Sequence, residues 1–342
     1  MKSINCITNT GNSKIFLDAG FDELKRLCDP ETTVVIVDRT VHDLYREKLL
    51  PYRCFAIDPG EEYKTLRTID AIYERCLEWE LDRSSTVVGV GGGMVCDIAG
   101  FVASTYLRGI RFGFVPTTLL AMVDAGVGGK NGVNYKGYKN LVGTFNQPDF
   151  VLCDFNFLKT LPYEELKNGI AEAIKSALIG DKALFDYIES NGKKITLLDN
   201  DAIRKVILDS LNVKIDVVSR DEKEKGERRK LNFGHTIGHA IEKSRKLHHG
   251  EAVSIGMAVA ARLSGKRGAL TENETGRIER LLSNFQLPIT CEGERKEIME
   301  AVLKDKKREG EDINFVLLDG IGNSRVEKVK IKDIQEVFCD LC

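Results

Sequence analysis

The sequence predicts an α/β domain followed by an all-α domain: a mostly parallel sheet first, then a helical domain that gathers most of the chain's histidines. Three observations predict it. Short β-branched runs alternate with helical spacing up to about residue 160, which implies parallel strands joined by helices. From Leu161 onward the apolar spacing becomes helical and stays so. Four of the five histidines of the chain, His235, His239, His248 and His249, fall between Leu231 and Met257. A length of 342 residues suits about two domains, and the change of pattern puts the boundary between residues 160 and 161.

In chain order, Val34–Val37 is a β-branched run ending at Asp38, followed by a polar helix. Arg53 to Ile57 reads as another strand. Tyr63 to Glu80 has helical spacing at Leu66, Ile69, Ile72, Tyr73 and Cys76. Thr86–Val90 is a buried-strand pattern that runs into Gly91-Gly92-Gly93, and a helix follows from Met94 to Tyr106. Three glycines between a strand and a helix let backbone approach a ligand, and the helix start offers free N–H groups to a phosphate. The spacing is not the GxGxxG of the usual dinucleotide fold. Asp38, at a strand end, suits ribose hydroxyls or a helix cap equally. Pro116 to Pro148 holds six glycines together with Asp124, Lys130 and Lys139. That composition predicts a loop that makes a site or a linker.

In the second half, Glu172, Lys175 and Ser176 share one face of a helix with Ile170 and Ile174 opposite. Spacing favours an exposed face with an i,i+3 ion pair. Over residues 201–218, Ile203, Ile207, Leu211 and Val218 form an apolar stripe that contains Lys214. A lysine pointing into packing must be paired or reach a ligand. Arg228 precedes the histidine segment. There Asn232, His235 and His239 stand at i, i+3 and i+7 and share a helix face, while Ile237 and Ile241 point to a core. The run KLHHGE, with Gly250, predicts a turn into a second helix that brings His248 or His249 back beside His235. Imidazoles so grouped suit a metal or a proton transfer, though the HxxxH lacks the glutamate of HExxH; the plainer reading is a polar helix face. Helices over Glu272–Phe285 and Glu294–Lys304, a hairpin of Ile313–Leu318 with Arg325–Ile331, and a closing helix complete the chain.

Composition excludes several classes. Lys+Arg 50 against Asp+Glu 52 gives no basic surplus for nucleic acid or anionic membrane. Nine scattered cysteines suggest free thiols in a reducing cytoplasm rather than a thiolate zinc site. The N-terminal stretch has no signal-peptide apolar core, and no apolar run reaches membrane-spanning length.

GGGMVCDIAGFVASTYLRGI, VPTTLLAMVDAGVGGK, KNLVGTF, GIAEAIK, LNFGHTIGHAIE and HGEAVSIGM, in that order, resemble the 3-dehydroquinate synthase family of the sugar-phosphate cyclases. The resemblance runs from about Asp38 to Lys307. It implies a Rossmann-like NAD domain over residues 1–160 and a helical zinc and substrate domain over 161–342, with the active site between them and a homodimer as the assembly. The implied zinc ligands are Glu172, His235 and His249; cobalt or iron would suit the same donors. NAD would touch Asp38, Glu61, Lys64, Gly92, Gly93, Asp97, Thr117, Thr118, Lys139, Thr160 and Glu165. Substrate would meet Asp124, Lys130, Asn140, Lys175, Lys214, Arg228, Asn232, His239 and one of Lys306 and Lys307, with Arg108 reaching the phosphate from the neighbouring subunit.

The implied reaction turns 3-deoxy-D-arabino-heptulosonate 7-phosphate into 3-dehydroquinate and phosphate, a step of the shikimate pathway to aromatic amino acids. A C5 hydroxyl is oxidised, phosphate leaves by β-elimination, the ketone is reduced again, and the opened ring closes by an aldol step. NAD is recycled, so the enzyme is a lyase with no net redox change. Cys96, Gly126, Asn131 and Tyr138 depart from the usual motif residues. Three other readings compete: a cyclase acting on another phosphosugar, a glycerol-dehydrogenase-like oxidoreductase, and a module that binds NAD and zinc without catalysis. Lys175, Lys214, Arg228 and Asn232 favour a substrate carrying carboxylate as well as phosphate.

Overall fold

The computed structural model describes residues 2–244, 247–291, 298, 308–309 and 312–341. The chain forms two compact units, Met1–Leu161 and Pro162–Cys342.

The first unit is built on a seven-stranded sheet. Its elements are β1 (Lys2–Ile7), β2 (Asn12–Leu17), α1 (Leu24–Leu27), β3 (Thr33–Asp38), α2 (Arg39–Leu44), α3 (Arg46–Leu49), β4 (Arg53–Ile57), α4 (Leu66–Glu78), β5 (Thr86–Gly91), α5 (Gly93–Thr105), β6 (Arg111–Pro116), β7 (Lys130–Tyr135), β8 (Tyr138–Phe145) and β9 (Phe150–Cys153). The sheet order is β1-β2-β9-β6-β5-β3-β4. Only the β1–β2 pair is antiparallel; every other neighbour in this sheet is parallel. The middle strands are buried on both faces, which is why Val34–Val37 and Thr86–Val90 are continuous apolar runs instead of alternating ones. Strand β3 leads to β4 on one side, and β5 leads to β6 on the other. The connections leaving β3 and β5 therefore diverge, and they open a crevice at the carboxyl ends of these two strands, where nucleotide ligands characteristically bind.

The stretch from Pro116 to Pro148 is not the expected loop. It contains a helical turn, Ala121–Ala125, and the antiparallel hairpin β7–β8. The glycines belong to the hairpin's geometry. At Gly132 an added Cβ would stand 2.6 Å from the carbonyl oxygen of Val142, and at Gly143 it would stand 2.4 Å from that of Asn131. The pairing is close enough that it hides the strand signal behind glycine.

The second unit comprises α6 (Tyr163–Gly180), α7 (Lys182–Thr196), α8 (Asn200–Arg220), α9 (His235–Ser244), α10 (His249–Lys266), α11 (Glu272–Asn284), the antiparallel strands β10 (Arg308–Glu309), β11 (Asp312–Leu318) and β12 (Ser324–Lys330), and α12 (Ile331–Leu341). The hairpin and closing helix stand where the sequence places them. Apart from Ile298, the expected helix Glu294–Lys304 lies outside the described residues, as do the lysines Lys306 and Lys307. Helix α6 overturns the exposed face expected for Glu172 and Lys175. All fourteen residues from Leu166 to Ile179 are buried, because α7, α8 and α10 all pack on this helix.

Candidate active site

Glu172 projects from the middle of α6, His235 opens α9 and His249 opens α10. The two histidine helices approach closely because glycine stands at their contact. Gly234, at φ +76°, turns the chain into α9, a conformation that costs little without a Cβ. A Cβ on Gly256 of α10 would sit 1.9 Å from the Gly234 carbonyl oxygen. As a result the His235 ring centroid lies 5.4 Å from that of His249; His239, one turn further along α9, lies 5.3 Å from it through helix spacing. The expected return of a histidine beside His235 is realised, and it is His249. Gly250 is not the turn residue; it lies in the first turn of α10, after His248 as N-cap. Asn232 is also displaced from its expected place. It ends the 3-10 turn Glu227–Asn232 and is off the helix, since Phe233 is extended.

Among the described residues, Glu172, His235 and His249 are the one group of three potential ligands whose donor atoms lie mutually close, within 4.8 Å. Tetrahedral bonds of about 2.1 Å would set donors roughly 3.4 Å apart, so the set fits an ion such as zinc with little adjustment. The carboxylate oxygen Oε1 of Glu172 is 3.1 Å from His249 Nε2 and 3.5 Å from His235 Nε2. Its other oxygen pairs with Lys175 one turn along α6. Both outer nitrogens of the histidines are already held, as metal-binding imidazoles usually are. His235 Nδ1 donates to the Phe233 carbonyl at 3.0 Å, which leaves Nε2 with its lone pair. His249 Nδ1 donates to Glu242 Oε1 at 2.8 Å.

The two imidazoles differ in charge. Burial pushes His235 down to about 4, and Lys175 and His249 add to that against the pull of Glu172. Burial also works to lower His249, but its hydrogen bonds to Glu172 and Glu242 outweigh it and raise the group to about 10. Without a metal, a proton on His249 therefore stands between the two carboxylates, while His235 is neutral.

The remaining expected residues of this unit surround the triad to different degrees. Lys214 is buried on α8, which packs on α6 and on the turn Glu227–Asn232. Arg228 is 2% exposed; its guanidinium donates to the Glu222 carbonyl. Asn232 donates to Glu224, and Glu165 accepts from Asn168 at 3.1 Å. Sequence reasoning missed Glu242, although it sits seven residues before His249 in the quoted motif, and Asn168, whose role depends on helix packing.

In the first unit the expected nucleotide contacts follow the carboxyl ends of the parallel strands. Asp38 ends β3, Glu61 and Lys64 follow β4, and Gly92, Gly93 and Asp97 follow β5. Thr117 and Thr118 follow β6, and Thr160 follows β9. Asp38 does cap α2, accepting from Thr40 N at 2.8 Å and Val41 N at 3.3 Å. No side chain caps the first N–H groups of α5 at Gly92. Lys64 pairs with Asp97 and donates to Asn140 Oδ1 at 2.6 Å. Thr118 accepts from Ala121 N at 3.1 Å, and the Thr160 and Tyr45 hydroxyls are 2.7 Å apart. Asn134 was not foreseen. It donates to Glu61 at 2.8 Å and accepts from Asn140 N at 2.9 Å, so it ties the hairpin to the segment after β4. Lys130 and Lys139 are exposed on β7 and β8, and Asp124 lies in the turn before them. Arg108 is exposed, at φ +67°, after α5.

Of the four departures, Cys96 and Asn131 are buried, Gly126 packs on the Ala121 carbonyl and Tyr138 is exposed. The cysteines of the described residues are free. Cys339 and Cys342 do stand at Cys-x-x-Cys spacing, with Cys342 outside the described residues. No helix among the described residues is long and apolar enough to cross a membrane.

Residues 54–168 match the family model of the 3-dehydroquinate synthase N-terminal domain, and residues 169–308 match that of the C-terminal domain. A 3-dehydroquinate synthase of Campylobacter concisus is 42% identical over 98% of both chains. Among solved structures, the 2-epi-5-epi-valiolone synthase of Streptomyces hygroscopicus, with NAD+ and Zn2+ bound, is 30% identical over 96% of both chains at a TM-score of 0.88. A 2-deoxy-scyllo-inosose synthase complexed with carbaglucose-6-phosphate, NAD+ and Co2+ is 25% identical over the whole of both chains at a TM-score of 0.90. Near-full-length identity to curated relatives and a match to both halves of the family together make one conclusion: the chain belongs to the 3-dehydroquinate synthase family.

Proposed function

We propose that the chain converts 3-deoxy-D-arabino-heptulosonate 7-phosphate to 3-dehydroquinate and phosphate, with NAD and a divalent ion, zinc first, as resident cofactors. One observation carries this reading beyond family membership: the Glu172–His235–His249 cluster, with Glu172 and His235 buried and His249 half-buried, has Lys175 beside it on α6. When bound, NAD supplies a reversible hydride acceptor, and the ion supplies a Lewis acid that acidifies a substrate hydroxyl. The residues of the chain do the rest. Lys175, Lys214 and Arg228 bring buried positive charge for the carboxylate and the departing phosphate. Asn232 orients hydroxyls, and His239, its ring beside His235, moves protons at the substrate. Asp124, Lys130 and Asn140 hold substrate from the first unit, and Arg108 does so from a partner subunit of a homodimer. Lys306 or Lys307, outside the described residues, adds one more cation.

Residues 1–160 serve as the NAD domain, through Asp38, Glu61, Lys64, Gly92, Gly93, Asp97, Thr117, Thr118, Lys139 and Thr160. Residues 161–342 serve as the metal and substrate domain, with Glu165 the nucleotide contact on that side. The ordering of these groups past the ends of β3, β4, β5, β6 and β9 supports the assignment. The free cysteines of the described residues support a reducing, cytoplasmic location.

The test is phosphate release from 3-deoxy-D-arabino-heptulosonate 7-phosphate with catalytic NAD and zinc, beside His235→Ala. Release that needs both cofactors, vanishes in the variant and leaves no net NADH supports the proposal. Release only from sedoheptulose 7-phosphate or glucose 6-phosphate would assign a sister cyclase instead, and stoichiometric NADH would assign a dehydrogenase.

A further inference from the structure

We propose that Asn168 is a positioning residue for the metal site: it sets where His249 stands by gripping the backbone of the next residue. The inference rests on the reading of Glu172, His235 and His249 as metal ligands. Asn168 lies four residues before Glu172, on the same face of α6, and is 4% exposed. Its Oδ1 accepts the Gly250 N–H at 2.8 Å, and its Nδ2 donates to Glu165 at 3.1 Å. The amide is thereby fixed at both ends, with its acceptor aimed at α10.

The contact on the other side is equally constrained. A Cβ on Gly250 would stand 2.6 Å from Asn168 Cα and 3.2 Å from Ala171 Cβ. The start of α10 therefore touches the α6 backbone directly, and Gly250 is glycine because nothing larger fits. The N–H that Asn168 takes belongs to the first turn of α10, where helix donors have no partner of their own. Lys167 adds a second tie: it lies 3.7 Å from Glu251, which in turn accepts the His248 N–H at 3.1 Å. The residues on both sides of His249 are thus bound to the helix that carries Glu172. Without these ties, His249 would depend on its bonds to Glu242 and Glu172 alone, and metal binding would itself have to bring the two helices into register.

The test uses the full chain stripped of metal. Zinc affinity is measured by chelator competition for wild type, His249→Ala, Asn168→Leu and Asn168→Asp, together with the thermal midpoint of each metal-free protein. Leucine keeps the branching and heavy-atom count of asparagine but has no acceptor, whereas aspartate keeps one. We expect Asn168→Leu to bind zinc about 10- to 100-fold more weakly and Asn168→Asp to recover at least half of that loss on a logarithmic scale; the metal-free midpoints, which fall as each variant loses a bond to Gly250 or Glu165, show that both are folded at the assay temperature. If Asn168→Leu does not fold, Asn168→Ala replaces it with the same expectation. Affinity within threefold of wild type in the leucine or alanine variant overturns the proposal, and so does equal weakening in leucine and aspartate. If wild type and His249→Ala bind zinc equally well, the metal-site reading itself has failed, which is a separate result.

Discussion

Zinc binding to the metal-free chain should release one proton at a pH where ordinary histidines would release almost none. The perturbation is the metal itself, added at pH 8. His249 is raised to about 10 by Glu172 and Glu242 against the effect of burial, so it is essentially fully protonated at pH 8. His235 is lowered to about 4, first by burial, and carries no proton to lose. A zinc ion needs the lone pairs of both. Binding should therefore expel about one proton, and apparent affinity should rise about tenfold per pH unit from pH 6 to 9. Two histidines with ordinary values near 6.5 would each be only about 3% protonated at pH 8 and would release roughly 0.06 proton together. Titration calorimetry in two buffers of different ionisation enthalpy measures the count directly. A release below about 0.3 at pH 8 would refute the reasoning. The same raised value fixes a sign for stability. Protonated His249 stabilises the metal-free fold fully below about pH 6.5, and that contribution is lost as pH rises through about 10. The unfolding midpoint of the metal-free chain should fall over that window, whereas that of the loaded chain should not.

Three further outcomes follow from the geometry. Glu242→Gln keeps the bond to His249 Nδ1 but removes its charge; zinc affinity at pH 7 should fall about tenfold, and unchanged affinity would show that the carboxylate does not act on the ligand. Gly256→Ala places a Cβ 1.9 Å from the Gly234 carbonyl, which should cost about 1–3 kcal/mol of stability, read as a lower thermal midpoint, together with weaker zinc binding from displaced α9. Lys64→Met removes the cation between Asp97 and Asn140. NAD affinity, followed by fluorescence titration, should drop by roughly 10-fold, in line with the loss of one hydrogen bond to a charged group.

The parts of this molecule that were legible in sequence are those where one local signal decides. Val34–Val37 and Thr86–Val90 read as buried parallel strands because both of their faces are covered. Lys214 fell inside an apolar stripe and is buried. The histidines stood out by rarity, and a turn sufficed to bring His249 home. What stayed hidden depends on partners distant in sequence. The β7–β8 hairpin was masked by glycines whose need comes from the opposite strand, and Asn134 gains its role only when that hairpin meets the segment after β4. Spacing alone placed Glu172 on an exposed face, since periodicity reports which residues share a side of a helix but not what lies against it. Motif resemblance corrected that assignment, where elementary patterning could not.

Helix α6 has consequences for how the protein opens. Its residues Leu166–Ile179 have no solvent-facing side, yet they include Lys167, Glu172 and Lys175. Such a segment has no stable existence apart from α8 and α10, because stripped of them it would bare both its apolar surface and its charges. Local fraying has nothing to peel away, so its amide hydrogens should exchange only when the second unit unfolds as a whole. The carboxylate at the centre of the candidate site is then lost only when the second unit unfolds as a whole and regained only when that unit folds. A partly folded chain would display none of the metal cluster, so capture of the ion would report completed folding.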